Sequence, residues 1–238
     1  MAKIPIIITG APEDLLPRLP EKTEDGKELD WTVVPVLRFE KLKYEKEVAN
    51  KIANRYFDWV ILASVRGVRF FSELLLENEI ELPPETRVAV MGQRTKELAE
   101  LDGFTPDFCP SLPGTETFIE EFPKGPFKLL FASALEGRKT LMDKMKEDGS
   151  EIQHLALYST LGIHPIQSIS QQQLSDASLI LFTSPSSFDA FTDSFEIPRK
   201  TKIGCLGQYT FDHLTRKGIS GHRKLPEGDF RKIGDILC

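Results

Sequence analysis

The stretch Asp58-Trp59-Val60-Ile61-Leu62-Ala63-Ser64-Val65-Arg66-Gly67-Val68 decides the fold. Its apolar residues are consecutive rather than alternating, which marks a short strand covered on both faces, as in a parallel sheet sandwiched by helices. A serine closes the strand, and apolar residues return at Val68 and Phe71 with helical spacing. The unit is therefore strand, tight turn, helix. Leu179-Ile180-Leu181-Phe182-Thr183-Ser184-Pro185-Ser186 reads the same way about 120 residues later, with Ser187-Phe188 and Phe191 following.

Outward from these two stretches, short β-branched apolar runs alternate with longer amphipathic ones, the pattern of an α/β protein. The pattern predicts strands over 4–9, 32–37, 59–64, 87–91, 128–133, 153–158, 179–183 and 202–206. Helices are expected over 43–57, 68–78, 95–101, 115–122, 137–148, 186–195 and 210–217. Gly103, Gly149 and Gly218 each fall just past one of these helices, where a left-handed cap residue is wanted. The charge run 38–46 reads as the solvated face of a helix.

The chain also repeats itself. Ile6–Thr9 matches the strand at Leu129, Asp30-Trp31-Thr32-Val33-Val34 matches Gln153-His154-Leu155-Ala156-Leu157-Tyr158, and Ile61–Ser64 matches Leu181–Ser184. Val90-Met91-Gly92-Gln93-Arg94-Thr95 recurs as Cys205-Leu206-Gly207-Gln208-Tyr209-Thr210. Four matches in the same order, at a spacing of 115 to 124 residues, predict two copies of a βαβα unit and two similar small domains.

Composition narrows the class of function. The 238 residues carry 30 Lys+Arg against 36 Asp+Glu, a formal net charge of −6, so an overall basic nucleic-acid footprint is absent. No run approaches the ~20 apolar residues that span a bilayer, and residues 1–9 are too short in their apolar part for a signal peptide. Cys109, Cys205 and Cys238 lie far apart with no CxxC pair, which suits a reducing cytoplasm better than a disulfide scaffold or zinc site. His154, His164, His213 and His222 lack metal-ligand spacing and read as surface or packing residues. There is no P-loop, no GxGxxG after a strand and no GxSxG elbow. These absences predict a site without metal or organic cofactor, built from hydroxyls, amides and a few cations.

The repeated turns supply such a site. Strand-to-helix turns lie at the carboxyl edge of a parallel sheet, where ligands of open α/β sheets bind. Exposed N–H groups and the helix dipole favour anions there, and Ser64, Thr183, Ser184 and Ser186 add hydroxyl donors. Pro185 suits an early helical position. Gly92 and Gly207 allow close backbone approach, and Thr95 and Thr210 are expected to cap the helices that follow. The set predicts a ligand rich in carboxylates or phosphates, although each turn taken singly is explained as well by helix capping.

With these motifs in hand, the chain resembles the uroporphyrinogen-III synthase family. The resemblance rests on Asp58–Val68, on Val90–Thr95, on His154-Leu155-Ala156-Leu157-Tyr158-Ser159-Thr160, on Leu181–Ser186 and on Leu206–Thr210. It implies two α/β domains joined by a two-stranded ladder, with the active site in the cleft between them. One domain would combine 1–35 with 165–238, the other would be 41–157, and 35–40 with 158–164 would form the ladder. The implied reaction closes hydroxymethylbilane with loss of water and inversion of the last ring, a lyase step of haem biosynthesis that needs no cofactor. Every pyrrole of that substrate carries an acetate and a propionate, in keeping with the anion-binding turns. By resemblance Tyr158 is the proton donor, while Ser64, Arg66, Gly92, Thr95, Arg138, Thr183, Ser184, Ser186, Gly207 and Thr210 bind substrate. A monomer in the cytoplasm is implied, with transient contact to hydroxymethylbilane synthase and no nucleic-acid or membrane partner. The chain departs from the family pattern after its first strand, where Thr9-Gly10-Ala11-Pro12 stands in place of Thr-Arg-Pro. A non-catalytic ligand-binding or regulatory module of the same fold is the alternative.

Overall fold

A computed structural model describes residues 3–11, 15–112, 114–137, 139–163, 169–225 and 229–237. Its strands are β1 (Ile4–Thr9), β2 (Leu29–Val34), β3 (Leu37–Lys41), β4 (Trp59–Leu62), β5 (Arg87–Val90), β6 (Pro106–Phe108), β7 (Lys128–Ala134), β8 (Glu151–Gly162), β9 (Leu179–Phe182), β10 (Lys202–Leu206) and β11 (Arg223–Leu225). The chain divides into two compact units, 1–38 with 161–238, and 39–160.

The first unit holds a five-stranded sheet in the order β11-β10-β9-β1-β2. Every neighbouring pair in it is parallel. Along β9, Ile180 and Phe182 pack into one core cluster with Phe188, Phe191 and Leu214, while Leu179 and Leu181 pack into another with Phe230, Ile233 and Ile236. This is the two-faced burial that an uninterrupted apolar strand demands. The second unit's sheet runs β3-β8-β7-β4-β5-β6. Its pairs from β8 to β6 are parallel. Trp59 and Ile61 face one cluster, with Phe118, Phe122 and Phe131; Val60 and Leu62 face the other, with Phe71 and Leu74. At β3 the direction reverses: the Leu42 amide donates to the Leu157 carbonyl and the Ile163 amide to the Val36 carbonyl, each at 2.9 Å. Both points where the chain passes from one unit to the other fall within β3 and β8.

The repeat is now visible as geometry. Leu62 pairs with Ala132 on one side and Val90 on the other, as Phe182 pairs with Thr9 and Cys205. Strands β1, β2, β9 and β10 thus hold the same sheet positions as β7, β8, β4 and β5. Each sequence copy contributes two strands to each unit.

Three sequence readings are corrected. The strand expected over 32–37 is two strands, because Pro35 offers no amide to a ladder. The charge run 38–46 is not a helix face. Residues Leu37–Lys41 form β3, with Leu37 and Phe39 half-buried and alternate residues exposed, and the helix begins only at Lys46. That helix, Lys46–Ala53, also ends before 57, because Asn54 returns its side-chain amide to the Asn50 carbonyl at 2.8 Å and Arg55 turns left-handed at φ 57°. Gly103, Gly149 and Gly218 do adopt the left-handed cap conformation, at φ 87°, 83° and 75°. The strands β6 and β11 are too short to show periodicity, and the helix Gln171–Asp176 is marked in the sequence only by its Ser170–Gln173 capping box, which sequence reasoning misses.

Candidate active site

The helix Val65–Glu77 leaves β4 through Ser64, whose hydroxyl accepts the Gly67 amide at 3.0 Å as N-cap. Glycine at 67 suits this approach, because a Cβ would stand 3.2 Å from the Ala132 carbonyl of the neighbouring strand, a tight contact that would push the two apart by a few tenths of an ångström. The Ser64 hydroxyl also meets the Tyr158 hydroxyl at 3.1 Å, and either can donate. Strict alternation would turn Tyr158 to the opposite face from Leu157. The register of β7 with β8 shifts between Ser133 and Ala134, so that Ala156 is the partner of the first and Tyr158 that of the second. This bulge returns Tyr158 to the face of Leu155 and Leu157, and all three join one core cluster.

Tyr158 is 6% exposed. Burial pushes its phenol above the ordinary tyrosine range; the Ser64 hydrogen bond and the Arg66 charge pull it back, and Glu136 adds to the rise. The phenol therefore keeps its proton across neutral pH and can donate it. Phe70 stacks on the Tyr158 ring at 5.2 Å, Phe39 meets it edge-on at 6.1 Å, and the Arg66 guanidinium lies 3.5 Å from the Phe39 ring centre. Sequence reasoning misses Phe39 and Phe70: Phe39 falls in the charge run 38–46 read as the solvated face of a helix, and Phe70 is one apolar residue of a helix among several.

Register places the other turns. Leu62 pairs with Val90, so Ser64 and Gly92 each lie two residues beyond a paired position on one sheet edge. The Gly92 carbonyl accepts the Thr95 and Lys96 amides at 3.0 Å each, which makes Gly92 the N-cap of the helix Gln93–Leu101. Thr95 is buried inside that helix and does not cap it. Cys109, beyond β6, comes close enough to the Gly92 amide to feel it; burial nevertheless raises its thiol pKa. His154 packs as the sequence suggests, its Nε2 2.9 Å from the Ser133 hydroxyl and 3.2 Å from the Ala134 carbonyl. Burial lowers its pKa.

In the other unit, Ser184 caps the helix Pro185–Thr192 in the same extended conformation as Ser64, here as a reciprocal capping box with Ser187. The Thr183 hydroxyl is engaged within the sheet, donating to the Thr9 carbonyl at 2.7 Å, and the Thr9 hydroxyl donates to Ser187 at 2.9 Å. Ser186 is exposed on the first turn. Gly207 opens the helix Gly207–Arg216 at φ +69° with nothing within 4 Å of where a Cβ would be. Thr210 lies buried within that helix and again is not its cap, because the helix starts at the glycine. Arg138, His164 and Cys238 lie outside the described residues.

Among the described residues no group of three His, Cys, Asp or Glu side chains is placed to hold a metal ion, and no helix is long and apolar enough to cross a membrane. Fold and site together define a two-unit parallel α/β protein. Its hydroxyl-bearing helix N-termini line the carboxyl edges of two repeated sheets, and a buried phenol stands at one of them. A family model described as uroporphyrinogen-III synthase HemD matches residues 24–223, and the chain belongs to that family. The activity that goes with membership is cyclisation of hydroxymethylbilane with loss of water. A mutant uroporphyrinogen III synthase from the extremely thermophilic bacterium Thermus thermophilus has the same fold, with TM-score 0.64 and 13% identity over 98% of each chain. Uroporphyrinogen-III synthetase from Helicobacter pylori 26695 gives TM-score 0.61 and 16% identity over 98% of this chain and 97% of its own.

Proposed function

We propose that Tyr158 is the proton donor in the closure of hydroxymethylbilane. The observation that carries this reading is a buried phenol, kept protonated and bonded to the capping hydroxyl of Ser64, at the carboxyl edge of the sheet. In the first step the phenol protonates the departing hydroxyl, the carbon–oxygen bond breaks and water leaves. The positive charge spreads into the adjoining pyrrole, so the donor needs only modest acidity and firm placement. The last ring attacks through its substituted α-carbon to form a spiro centre, and the bond from that carbon to its original methylene then breaks. The methylene cation so released is captured by the ring's free α-carbon. The macrocycle closes with that ring inverted, and the proton lost from the free α-carbon restores the phenol.

Carboxylates of the substrate are assigned to Arg66, to Ser64 and to the helix N-termini at Gly92, Ser184, Ser186 and Gly207, whose amides and dipoles favour anions. Thr183, Thr95 and Thr210 support these turns from beneath, in keeping with their burial or existing bonds. Arg138 keeps its role from the resemblance alone. The chain acts as a cytoplasmic monomer that takes its unstable substrate from hydroxymethylbilane synthase by transient contact.

The test is a coupled assay with freshly generated hydroxymethylbilane, followed by oxidation and chromatographic separation of the porphyrin isomers. Isomer III from the native chain, and its loss in Tyr158→Phe, is the expected result. Full isomer III output from the mutant would remove Tyr158 from the chemistry. Isomer I alone from the native chain would leave a binding module in place of an enzyme.

A further inference from the structure

Arg66, Phe39, Tyr158 and Phe70 form one continuous column. Arg66 and Phe70 leave the same helix four residues apart, and therefore on one face. Phe39 comes from β3, where alternation turns it inward between exposed Arg38 and Glu40. The guanidinium carbon stands 3.5 Å from the centre of the Phe39 ring. At that separation the group lies flat on the ring, since an edge-on approach would hold its carbon farther away. A guanidinium held through its flat face directs its N–H donors outward in its own plane, the plane in which it pairs with a carboxylate. An arginine side chain without such support would lose much rotamer freedom on binding a carboxylate, and the ring beneath it removes part of that cost beforehand.

We infer that Phe39 is a positioning residue for the reaction, holding the Arg66 guanidinium in one orientation on its ring so that the guanidinium edge receives a carboxylate of the substrate. This rests on the roles proposed above for Tyr158 and Arg66. Phe39 itself touches no reacting atom; it acts through Arg66. Its effect accordingly falls on binding more than on the chemical step. The Arg66 charge also bears on the Tyr158 phenol, whose ionised form it favours.

The experiment measures steady-state kinetics of the full chain on hydroxymethylbilane for Phe39→Leu, Phe39→Tyr, Phe39→Trp and Arg66→Gln, and for Phe39→Leu combined with Arg66→Gln. Phe39→Leu is expected to raise KM about tenfold with kcat within about twofold, the size of a desolvated cation–ring contact. Phe39→Tyr and Phe39→Trp, which keep a ring under the guanidinium, should restore KM. Arg66→Gln should raise KM, and adding Phe39→Leu to it should raise KM no further. Wild-type KM in Phe39→Leu or in Arg66→Gln would overturn the inference. So would an undiminished Phe39→Leu effect in the Arg66→Gln background, or ring-bearing variants as poor as leucine. Should Phe39→Leu fail to fold, Phe39→Met fills the space without a ring: raised KM supports the inference and unchanged KM overturns it. Isomer I alone from the native chain would be the separate failure of the reading beneath it.

Discussion

Ser64 and Tyr158 are 94 residues apart in the chain, yet their hydroxyls meet at 3.1 Å. Three separate features bring them together. Ser64 is oriented by capping its own helix, Gly67 lets that helix approach the Ala132 carbonyl, and the β7–β8 bulge turns Tyr158 inward. A serine that has to cap a helix is a fixed partner, so the phenol's direction is set by the backbone rather than by substrate.

Replacing Tyr158 by phenylalanine keeps the ring between Phe70 and Phe39 and removes the proton. The turnover for isomer III should fall about 100-fold, the usual reach of a positioned acid. Urea unfolding should show a loss of only about 1 kcal/mol, for one hydrogen bond.

Ser64→Ala removes a cap as well as the phenol's partner. A stability loss of about 1 kcal/mol is expected from the cap alone. Turnover should drop less than in Tyr158→Phe, because the phenol keeps its proton. Unfolding and isomer assays on the two variants side by side check the order.

Alkaline stability should carry a signature of Tyr158. Its folded pKa stands above the ordinary value of 10.0. Between the two values the folded chain holds a proton that the unfolded chain has released. The contribution is thus complete below about pH 10 and is lost as pH rises through the folded value. Urea midpoints measured at rising alkaline pH should fall more steeply for the native chain than for Tyr158→Phe.

His154 acts with the opposite sign. Burial holds its pKa below the ordinary 6.5, so between the two values the unfolded chain binds the extra proton. This stability is present above about pH 6.5 and declines on acidification through the folded value. His154→Gln should flatten the loss seen between about pH 7.5 and 5.5; an unchanged slope would show that other groups carry it.

Gly207→Ala tests a turn through its backbone. At φ +69° with open space around it, an alanine would clash with nothing but would strain the left-handed conformation by about 1–2 kcal/mol. A matching loss in unfolding free energy is expected. A KM for hydroxymethylbilane that rises beyond what Thr210→Val produces would tie the turn to substrate.

Much of this protein is settled along the chain. Trp59–Leu62 and Leu179–Phe182 announce parallel strands because four consecutive apolar residues can be buried only between two layers. The serine turns and the left-handed glycines are equally local, since each depends on residues within a few positions of one another, and the repeat is legible because each of the stretches it matches is. Tyr158 is named by resemblance, and its partner Ser64 stands out by its place at a strand end.

What the chain cannot show by itself is where distant residues meet. The bulge that turns Tyr158 depends on the pairing of β8 with β7, and no local pattern marks the extra residue. That the Thr183 hydroxyl donates to the Thr9 carbonyl is visible only once β1 lies alongside it. Phe39 sits in a stretch that reads as a solvated helix face, and Phe70 in an ordinary amphipathic helix, until a guanidinium lies on the first and a phenol stacks on the second. Apolar periodicity fixes elements because burial is a local average over a face. Partners across a sheet depend on register, and register is decided only when the strands pack.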